Sequence, residues 1–542
     1  MSLATVFAAK KIITMDRNCP VATHVAVRDG KILAVGGREC ADPWGHVVHD
    51  NCLADTVLMP GLVEGHAHMM AGAIWDFAYV GFHDRIDPQG RHHEGRTDLE
   101  AVIRKLEDRV ATLEAGQPLV AWGFDPIFLP SERLHRRHLD RIASDRPIVV
   151  LFSNLHLMCV NSHTLNIVEY TRETSVKGVV KDADGEPTGE LQEMTAMFPV
   201  MWRTDIDFRA LAQNAAAIEA YAAVCRHVGV TTVTDLFAQL RVEDVEEFAS
   251  LTDSPGFGVR IVPTLAAVGA QPEELARRAL DLASRSTDKL RLGAIKIMTD
   301  GSIQGWTARV KWPGYIGGQR NGLWNSPPVE IYALCEAFQK HGIQMHIHAN
   351  GDEASEVSLD ALAAAARKHP WPGARHVLQH GQMMGEDQFR RSAELGVCVN
   401  LFANHIWYFG DQHVAHTIGE SRAGRMNAAR SALDAGVNVA IHSDAPITPI
   451  APLFTAWCAV NRRTMSGRTL GPAQRITVDE ALYAITLGAA YTLKLDDEIG
   501  SIEVGKVADF AILGDDPTAV DPMALKDVPV LGTMSGGHLA LK

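Results

Sequence analysis

Long hydrophobic runs are missing from this sequence of 542 residues. No stretch approaches the roughly 18 uninterrupted apolar residues of a membrane span. The apolar part of the N-terminus is too short, and wrongly flanked, for a signal peptide in the segment MSLATVFAAKKIITMD. We therefore expect no membrane partner and a cytoplasmic location.

The cysteines and the charge balance exclude two further classes of protein. The 8 cysteines are scattered and include no C-x-x-C pair, so we interpret them as isolated reduced thiols and not as a disulfide framework or a zinc knuckle. The formal net charge is −14, whereas nucleic-acid binders need clustered lysine and arginine to displace counterions. We expect a small-molecule substrate and no nucleic-acid partner; a homodimer is left open.

Both ends of the chain alternate apolar and polar residues, as half-buried strands do. Residues 1–58 contain such strands around the turn Arg28-Asp29-Gly30-Lys31. The far end repeats the pattern, and GSIEVGKVADFAIL at residues 500–513 predicts a strand, a glycine turn and a second strand. We expect the two ends, 1–58 and 495–542, to combine into one small β domain.

The middle of the chain is typical of an α/β protein. Eight apolar runs, each followed by a helical pattern, predict a (β/α)8 TIM-like barrel over residues 59–81 and 209–494. The runs are VLMPGLVEGHAH, VGVTTVTDL, GFGVRIVPTL, LGAIKIMTDG, IQMHIHANGD, RHVLQHGQ, LGVCVNLFAN and VNVAIHSDAP. Residues 82–208 are too many for a βα connection, and their helical and strand-like stretches predict an inserted cap over the barrel mouth.

Metal-ligand residue types stand at the ends of several of these runs. His66 and His68 share one side of the first strand because side chains alternate with a period of two. Two imidazoles aimed at a barrel's carboxyl end suit a divalent metal such as zinc. The fifth run ends in a pair of histidines, the sixth ends in His380, and Asp444 follows the eighth. A core whose side chains serve only for packing would rarely have metal-ligand residue types at the ends of so many strands.

Lys296 stands in the apolar fourth run. A buried lysine is costly when charged, so its pKa falls and the free amine becomes nucleophilic. Such an amine captures carbon dioxide as a carbamate, which can bridge two metals. Alternatively, Lys296 is a plain cation paired with Asp300 or Asp235 in a site that holds one metal.

The whole series resembles the amidohydrolase superfamily, whose pattern is H-x-H on strand one, Lys on strand four, His on strands five and six, and Asp on strand eight. MPGLVEGHAH resembles the strand-one motif, and the segment from Ala481 to Leu513 resembles the C-terminal signature. KIMTDGSIQGWTA, HIHANGD and SDAPITP resemble the subgroup that includes N-substituted formamide deformylases. The resemblance implies that the barrel is accompanied by a β-sandwich made from both chain ends.

The resemblance also implies a ligand set for two divalent metal ions, with zinc as the expected metal. Carried over by motif, the ligands are His66, His68 and Asp444 for the first ion, His348 and His380 for the second, and carboxylated Lys296 as the bridge. Without carboxylation the site would hold one metal. His346 points the same way as His348, but HANGD matches the family pattern better at His348.

The implied activity is hydrolysis of a non-peptide C–N bond, an amide or N-acyl bond, in a small, partly hydrophobic substrate by a metal-activated hydroxide. Asp444 would pass a proton to the leaving nitrogen, and His156 would stabilise the oxyanion. We expect substrate-binding side chains from Trp122, Asn161, Trp306, His405 and Trp407.

Two rival functions stay open, and the chain departs from the subgroup at two places near the ligands. The rivals are deamination of a heterocycle at a single metal and a non-catalytic small-molecule-binding barrel. Gln379-His380-Gly381 stands where Glu-His-Ala is usual, and His442 stands where glycine is common. These departures leave the ligands intact and cast doubt on any substrate taken from relatives.

Overall fold

The structure is a computed structural model that describes residues 3–130, 132–208, 214–254 and 256–542. Within these ranges the strands and α-helices are numbered in chain order. The strands are β1 (Ala4–Ile13), β2 (Val21–Arg28), β3 (Lys31–Gly36), β4 (Val47–Asp50), β5 (Val57–Pro60), β6 (Leu62–Glu64), β7 (Ala78–Tyr79), β8 (Arg85–Ile86), β9 (His92–His93), β10 (Leu119–Phe124), β11 (Ile148–Phe152), β12 (Leu157–Val160), β13 (Val179–Lys181), β14 (Pro187–Gln192), β15 (Val230–Ala238), β16 (Arg260–Ala266), β17 (Ile295–Met298), β18 (Met345–Ala349), β19 (Val377–His380), β20 (Cys398–Leu401), β21 (Val439–Ile441), β22 (Phe510–Leu513), β23 (Val530–Ser535) and β24 (His538–Leu541).

The helices lie between and around these strands. They are α1 (Leu99–Val110), α2 (Arg136–Ile142), α3 (Ser162–Ile167), α4 (Glu193–Thr204), α5 (Ala215–His227), α6 (Val242–Thr252), α7 (Pro272–Ala283), α8 (Pro328–Lys340), α9 (Asp352–Lys368), α10 (Glu386–Glu394), α11 (His405–Gln412), α12 (Gly419–Arg425), α13 (Ala429–Asp434), α14 (Pro452–Asn461), α15 (Val478–Ala484) and α16 (Leu487–Thr492). Among the helices of the described ranges, none is long and apolar enough to cross a bilayer.

The central sheet consists of eight parallel strands in the order β6, β15, β16, β17, β18, β19, β20, β21. Each strand coincides with one of the eight predicted apolar runs, although β15 and β16 extend slightly past theirs, and the α/β class is confirmed. Strands such as β16 and β18 are buried at every residue because both faces of the sheet are covered. Helices α5 to α13 alternate with these strands and supply much of that cover.

The sheet curls until its first and last strands approach each other at their carboxyl ends. Just beyond β6 and β21, the amide of Asp444 donates to the carbonyl of His66 at 3.1 Å, and the amide of His68 donates to the carbonyl of Ala445 at 2.8 Å. Among the described residues, no ladder joins β6 to β21 along their length. The described sheet is therefore a curled half-barrel, held together at its mouth by these two bonds.

The two chain ends form one mixed sheet of eight strands. β22 from the C-terminal end pairs antiparallel with β5, and β1 pairs with β2, β4 and β5. The predicted strand at 500–505 is wrong, because Gly505 and Lys506 bond to the backbone of Ile32 as a turn against β3. The hairpin β23–β24, with its turn at Gly536-Gly537, escaped the sequence analysis.

The insert carries five strands of a six-stranded mixed sheet in the order β13, β14, β12, β11, β10, β7, and β7 lies just before the insert. Helix α1 begins at Asp98, whose side chain caps the helix by accepting from the amide of Ala101 at 2.7 Å. Its buried residues recur at helical spacing, so one face packs against this sheet. They are Leu99, Val102, Ile103 and Leu106.

A buried ion pair ties the terminal sheet to the central one. Arg260 of β16 lies 2.9 Å from the Asp509 carboxylate and also donates to the Thr232 hydroxyl at 2.9 Å. The second Asp509 oxygen accepts from the amide of Gly536 at 2.7 Å. Removing one partner of such a pair typically costs about 3 to 5 kcal/mol.

Asp125, buried in the insert, makes stability depend on pH. Burial raises the pKa of Asp125 to about 7, against 3.8 for an ordinary aspartate, so between these values the folded chain binds one more proton than the unfolded chain. The contribution of Asp125 to stability therefore falls as pH rises from about 4 to 7. Asp125→Asn keeps the bonds to Ser153 and to the amide of Ile127 without titrating.

We expect Asp125→Asn to become more stable than the wild type as pH rises, by on the order of 2 to 4 kcal/mol at pH 7.5. Urea unfolding at pH 4.5 and 7.5 measures the difference. Asp108→Asn, on the exposed face of α1, is the control and should show no such trend. An Asp125→Asn stability difference that is the same at both pH values would contradict the expectation.

Candidate metal centre and active site

The ligand-type side chains at the strand ends meet around one carboxylate. Asp444 lies 3.4 Å from Nε2 of His66, 3.3 Å from Nε2 of His68 and 3.6 Å from Nδ1 of His380. The ring of His380 lies 4.5 Å, centre to centre, from both His66 and His348. Five residues from the ends of four strands are thus brought into one cluster, as the shared carboxyl edge of parallel strands predicts.

The backbone at two of these positions adopts a conformation that is uncommon outside glycine. Both His380 (φ 73°) and Asp444 (φ 54°) are left-handed. Such conformations cost free energy and persist where the surroundings enforce them, often at functional sites. Here each one turns a side chain out of its strand end toward the cluster.

The cluster fits a divalent metal ion. Two groups of residues bring their ligand atoms within 4.8 Å of one another: His66, His68 and Asp444, and His66, His380 and His442. Within the part of the chain that the structure describes, several of these buried atoms have no hydrogen-bond partner, including Nδ1 of His380, both ring nitrogens of His442 and Oδ1 of Asp444. Buried polar atoms are nearly always satisfied, so this donor set is suited to a cation.

Lys296 lines the same cavity and is only 1% exposed. Its Nζ has no hydrogen-bond partner, and burial lowers the pKa of Lys296 to about 7. No carboxylate among the described residues forms an ion pair with Lys296, and the alternative partners Asp235 and Asp300 are both engaged elsewhere. Asp235 accepts from the amide of Met69 at 3.0 Å. Asp300 accepts from three backbone amides, those of Arg309, Asn350 and Gly351.

The two histidines of β18 have different surroundings. His348 lines the cavity, and its Nε2 lies 3.2 Å from both the carbonyl of Gly301 and the side chain of Asn350. His346 does not line the cavity, and its Nδ1 accepts from the side-chain amide of Gln379 at 2.8 Å. Burial lowers the pKa of His346 to about 3 and that of His348 well below its usual range, so both rings are neutral.

His156 reaches the cavity from the insert. Its Nδ1 lies 2.8 Å from the Glu193 carboxylate, which also accepts from Asn325 at 2.6 Å. Burial acts to lower the pKa of His156, but the Glu193 carboxylate outweighs it and the net pKa is raised. The His156 ring is 5.0 Å from that of His348, so this proton-carrying group stands beside the ligand cluster.

A cavity of about 150 Å³ joins the ligand cluster to an apolar wall. The sequence analysis missed this wall, although Met194, Met197 and Met201 share one face of α4 by their helical spacing. Methionine and phenylalanine side chains suit an apolar group of irregular shape. The wall consists of Met70, Met194, Met197, Met201, Met298, Phe198, Phe208, Phe237 and Phe248.

The five residues predicted to bind substrate lie outside the lining of this cavity. Asn161 caps α3 by accepting from the amide of Thr164 at 3.0 Å. The others pack in the core. Trp122 contacts Trp75 and Tyr79, Trp306 donates to the carbonyl of His416, His405 pairs with His413, and Trp407 packs on Tyr408.

The unsatisfied amine of Lys296 leads to a stability prediction. In chelator-treated protein, Lys296→Met should raise the unfolding temperature, because it removes a buried donor whose desolvation costs about 1 to 3 kcal/mol. Differential scanning calorimetry measures the shift. Lys506→Met is the matched control and should lower the unfolding temperature, because the amine of Lys506 donates to the Ser501 hydroxyl and to the carbonyl of Asp496. A lowered temperature for Lys296→Met would contradict the prediction.

Comparison with known proteins agrees with this geometry. The profile of the amidohydrolase family matches residues 53–540. The chain is 27% identical to the N-substituted formamide deformylase of Arthrobacter pascens, over 97% of this chain and 96% of that protein. It is also 27% identical to the protein LONG AFTER FAR-RED 3 of Arabidopsis thaliana, over 97% of this chain and 89% of that protein.

A solved structure shares the fold. An uncharacterized metal-dependent hydrolase from Pyrococcus horikoshii OT3 superposes with a TM-score of 0.70 at 20% identity, covering 96% of this chain and 99% of that one. The family match spans most of the sequence. The chain therefore belongs to the amidohydrolase family.

Proposed function

We propose that this chain hydrolyses a non-peptide C–N bond, an amide or N-acyl bond, in a small substrate with an apolar part. The observation that carries the proposal is the single cavity in which His66, His348, Lys296 and Asp444 face an apolar wall of methionine and phenylalanine. A substrate held there would place its apolar group on the wall and its polar bond at the ligands. The deformylase relative makes N-substituted formamides the first substrates to test.

The proposed centre holds two divalent ions, with zinc expected. His66, His68 and Asp444 would hold one ion, His348 and His380 the other, and the carbamate of Lys296 would bridge them. An amine with a pKa of about 7 is substantially uncharged at neutral pH, which supports carbamate formation at Lys296. When bound, such ions activate water for attack and polarise the carbonyl of the substrate.

The side chains of the chain supply the proton transfers. Asp444, in contact with three imidazoles, is placed to accept a proton from the attacking water. It would then deliver that proton to the leaving nitrogen, which otherwise departs as an unstable anion. Glu193 holds Nδ1 of His156, which leaves Nε2 to donate toward the oxygen that gains negative charge.

A second candidate is deamination at a single ion. The two ligand groups share His66, and neither includes Lys296 or His348. That sharing is what one ion with a ring of nitrogen ligands would give. Metal analysis separates the candidates, because hydrolysis at a bridged centre needs two ions per chain and deamination needs one.

The proposal extends to the architecture. We propose that the curled central sheet is a closed (β/α)8 barrel and that the terminal sheet folds over as a β-sandwich. The apolar cluster between the strands of the two chain ends supports the second point; it includes Phe7, Val25, Leu58, Phe510 and Met534. Residues 82–208 would then be the cap that adds His156 and the α4 wall to the cavity.

Replacing Asp444 tests the chemistry. The metal-loaded wild type should release amine and carboxylate from a panel of N-formyl and N-acetyl amines, cyclic imides, carbamates and lactones. Asp444→Asn should lower kcat by about 100-fold or more, since it removes the proton carrier. Asp434→Asn, an exposed carboxylate paired with Arg430, should keep full activity.

Metal content, measured by mass spectrometry in the same samples, shows whether Asp444→Asn still binds ions. Two ions per wild-type chain together with turnover of an amide would support the proposal. Two outcomes would contradict it: no turnover across the whole panel by metal-loaded protein, or turnover that survives in Asp444→Asn.

The apolar wall predicts a change in substrate affinity. Met197→Ala should raise KM for a substrate with a large apolar group by roughly 5- to 30-fold with little change in kcat, because about 1 to 2 kcal/mol of apolar contact is lost away from the reacting bond. Met534→Ala removes an equally buried methionine of the terminal sheet and should leave KM unchanged. Equal KM values for the two variants would show that the apolar wall does not contribute to substrate binding.

A further inference from the structure

Gln379, the residue before His380, is the centre of a buried hydrogen-bond network under the ligand cluster. It is 0% exposed. Its Oε1 lies 2.7 Å from Nδ1 of His66 and accepts from Nδ2 of Asn400 at 3.0 Å. Its Nε2 donates to Nδ1 of His346 at 2.8 Å. The amide of Gln379, on β19, thus contacts two histidines and an asparagine from three other strands: His66 just after β6, His346 of β18 and Asn400 of β20.

The network determines which ring nitrogen of His66 carries the proton. An amide oxygen can only accept, so Nδ1 of His66 carries the hydrogen. A neutral imidazole has one N–H, and Nε2 of His66 is therefore left with its lone pair. That Nε2 is the atom 3.4 Å from Asp444, and His66 belongs to both candidate ligand groups.

The orientation of the Gln379 amide agrees with that of the Asn400 amide beside it. Turning Gln379 around by itself would bring its NH2 group against the NH2 group of Asn400. The present orientation also sets the tautomer of His346, whose Nδ1 accepts from Gln379 and whose hydrogen must lie on Nε2. A glutamate at this position would accept from His66 but, when ionised, could not donate to His346.

We infer that Gln379 is a positioning residue that fixes His66 in the tautomer presenting Nε2 to a metal ion and holds His346 out of the ligand set. The inference rests on the metal site of the proposed function but not on the reaction. Outer partners of this kind typically change metal affinity by about 10- to 100-fold.

The chain contains a matched bond outside the ligand cluster. Oε1 of Gln339 lies 2.7 Å from Nε2 of His376, and Nε2 of Gln339 donates to the carbonyl of His369. Both glutamines are buried, and both hold a buried histidine through the same pair of groups. Gln339→Met therefore reproduces the structural loss of Gln379→Met without affecting a predicted ligand.

The test compares zinc affinity by competition with a chromophoric chelator. Gln379→Met should bind zinc about 10- to 100-fold more weakly than the wild type, and Gln379→Glu, which keeps the acceptor for His66, should recover most of the loss. Gln339→Met should match the wild type in affinity even where its unfolding temperature falls. Unchanged affinity in Gln379→Met, or an equal loss in Gln339→Met, would overturn the inference.

A measurement on the wild-type protein covers the case in which Gln379→Met does not fold. Long-range 1H–15N correlation spectra of histidine-labelled, zinc-loaded protein, assigned with His66→Gln, should show the hydrogen of His66 on Nδ1. A hydrogen on Nε2 would refute the assignment. Because neither readout involves a substrate, weak zinc binding by Gln379→Met would stand even if no amide were hydrolysed.

Discussion

Two backbone hydrogen bonds between the first and last strands of the central sheet govern the site. They run from Asp444 to His66 and from His68 to Ala445, and they join segments nearly 380 residues apart. Glu64 adds a third tie, since its carboxylate accepts from the amides of both His66 and Ser443. Without these hydrogen bonds between the segments after β6 and β21, the distance from Asp444 to the imidazoles of His66 and His68 would not be fixed. The other ligands come from interior strands, whose spacing the sheet ladders already set.

The cluster collects groups that are unfavourable in an empty core. Lys296, His66, His348, His380 and Asp444 are buried, and several of their polar atoms have no hydrogen-bond partner among the described residues. Burying such groups costs free energy unless they pair with an opposite charge or form hydrogen bonds. A bound cation would coordinate several of them at once, so metal affinity and folding stability would be coupled at this site.

The sequence predicted the parts of the site that depend on strand period and strand ends. His66, His68, His380 and Asp444 converge because parallel strands end at one edge. The sequence could not predict partners set by tertiary packing, such as the bond from Gln379 to His66 or the pairing of His156 with Glu193. Nor did the pattern indicate which apolar side chains line the cavity. Trp122 and Trp407 lie outside its lining, whereas methionine and phenylalanine side chains form its apolar wall. At the C-terminal end, glycines around residue 505 suggested a hairpin where a turn bonds to β3 instead.

The cavity is lined partly by the central sheet and partly by the insert, and this division has an evolutionary consequence. The proposed metal ligands belong to the central sheet, where the strands are hydrogen-bonded to their neighbours. Met194, Met197 and Met201 belong to α4 in the insert, which contributes no ligand to the centre. Mutation can therefore change the shape of the α4 surface while the proposed ligand cluster at the strand ends stays intact. Related chains with the same histidines would then diverge in what they accept, through drift in a single helix.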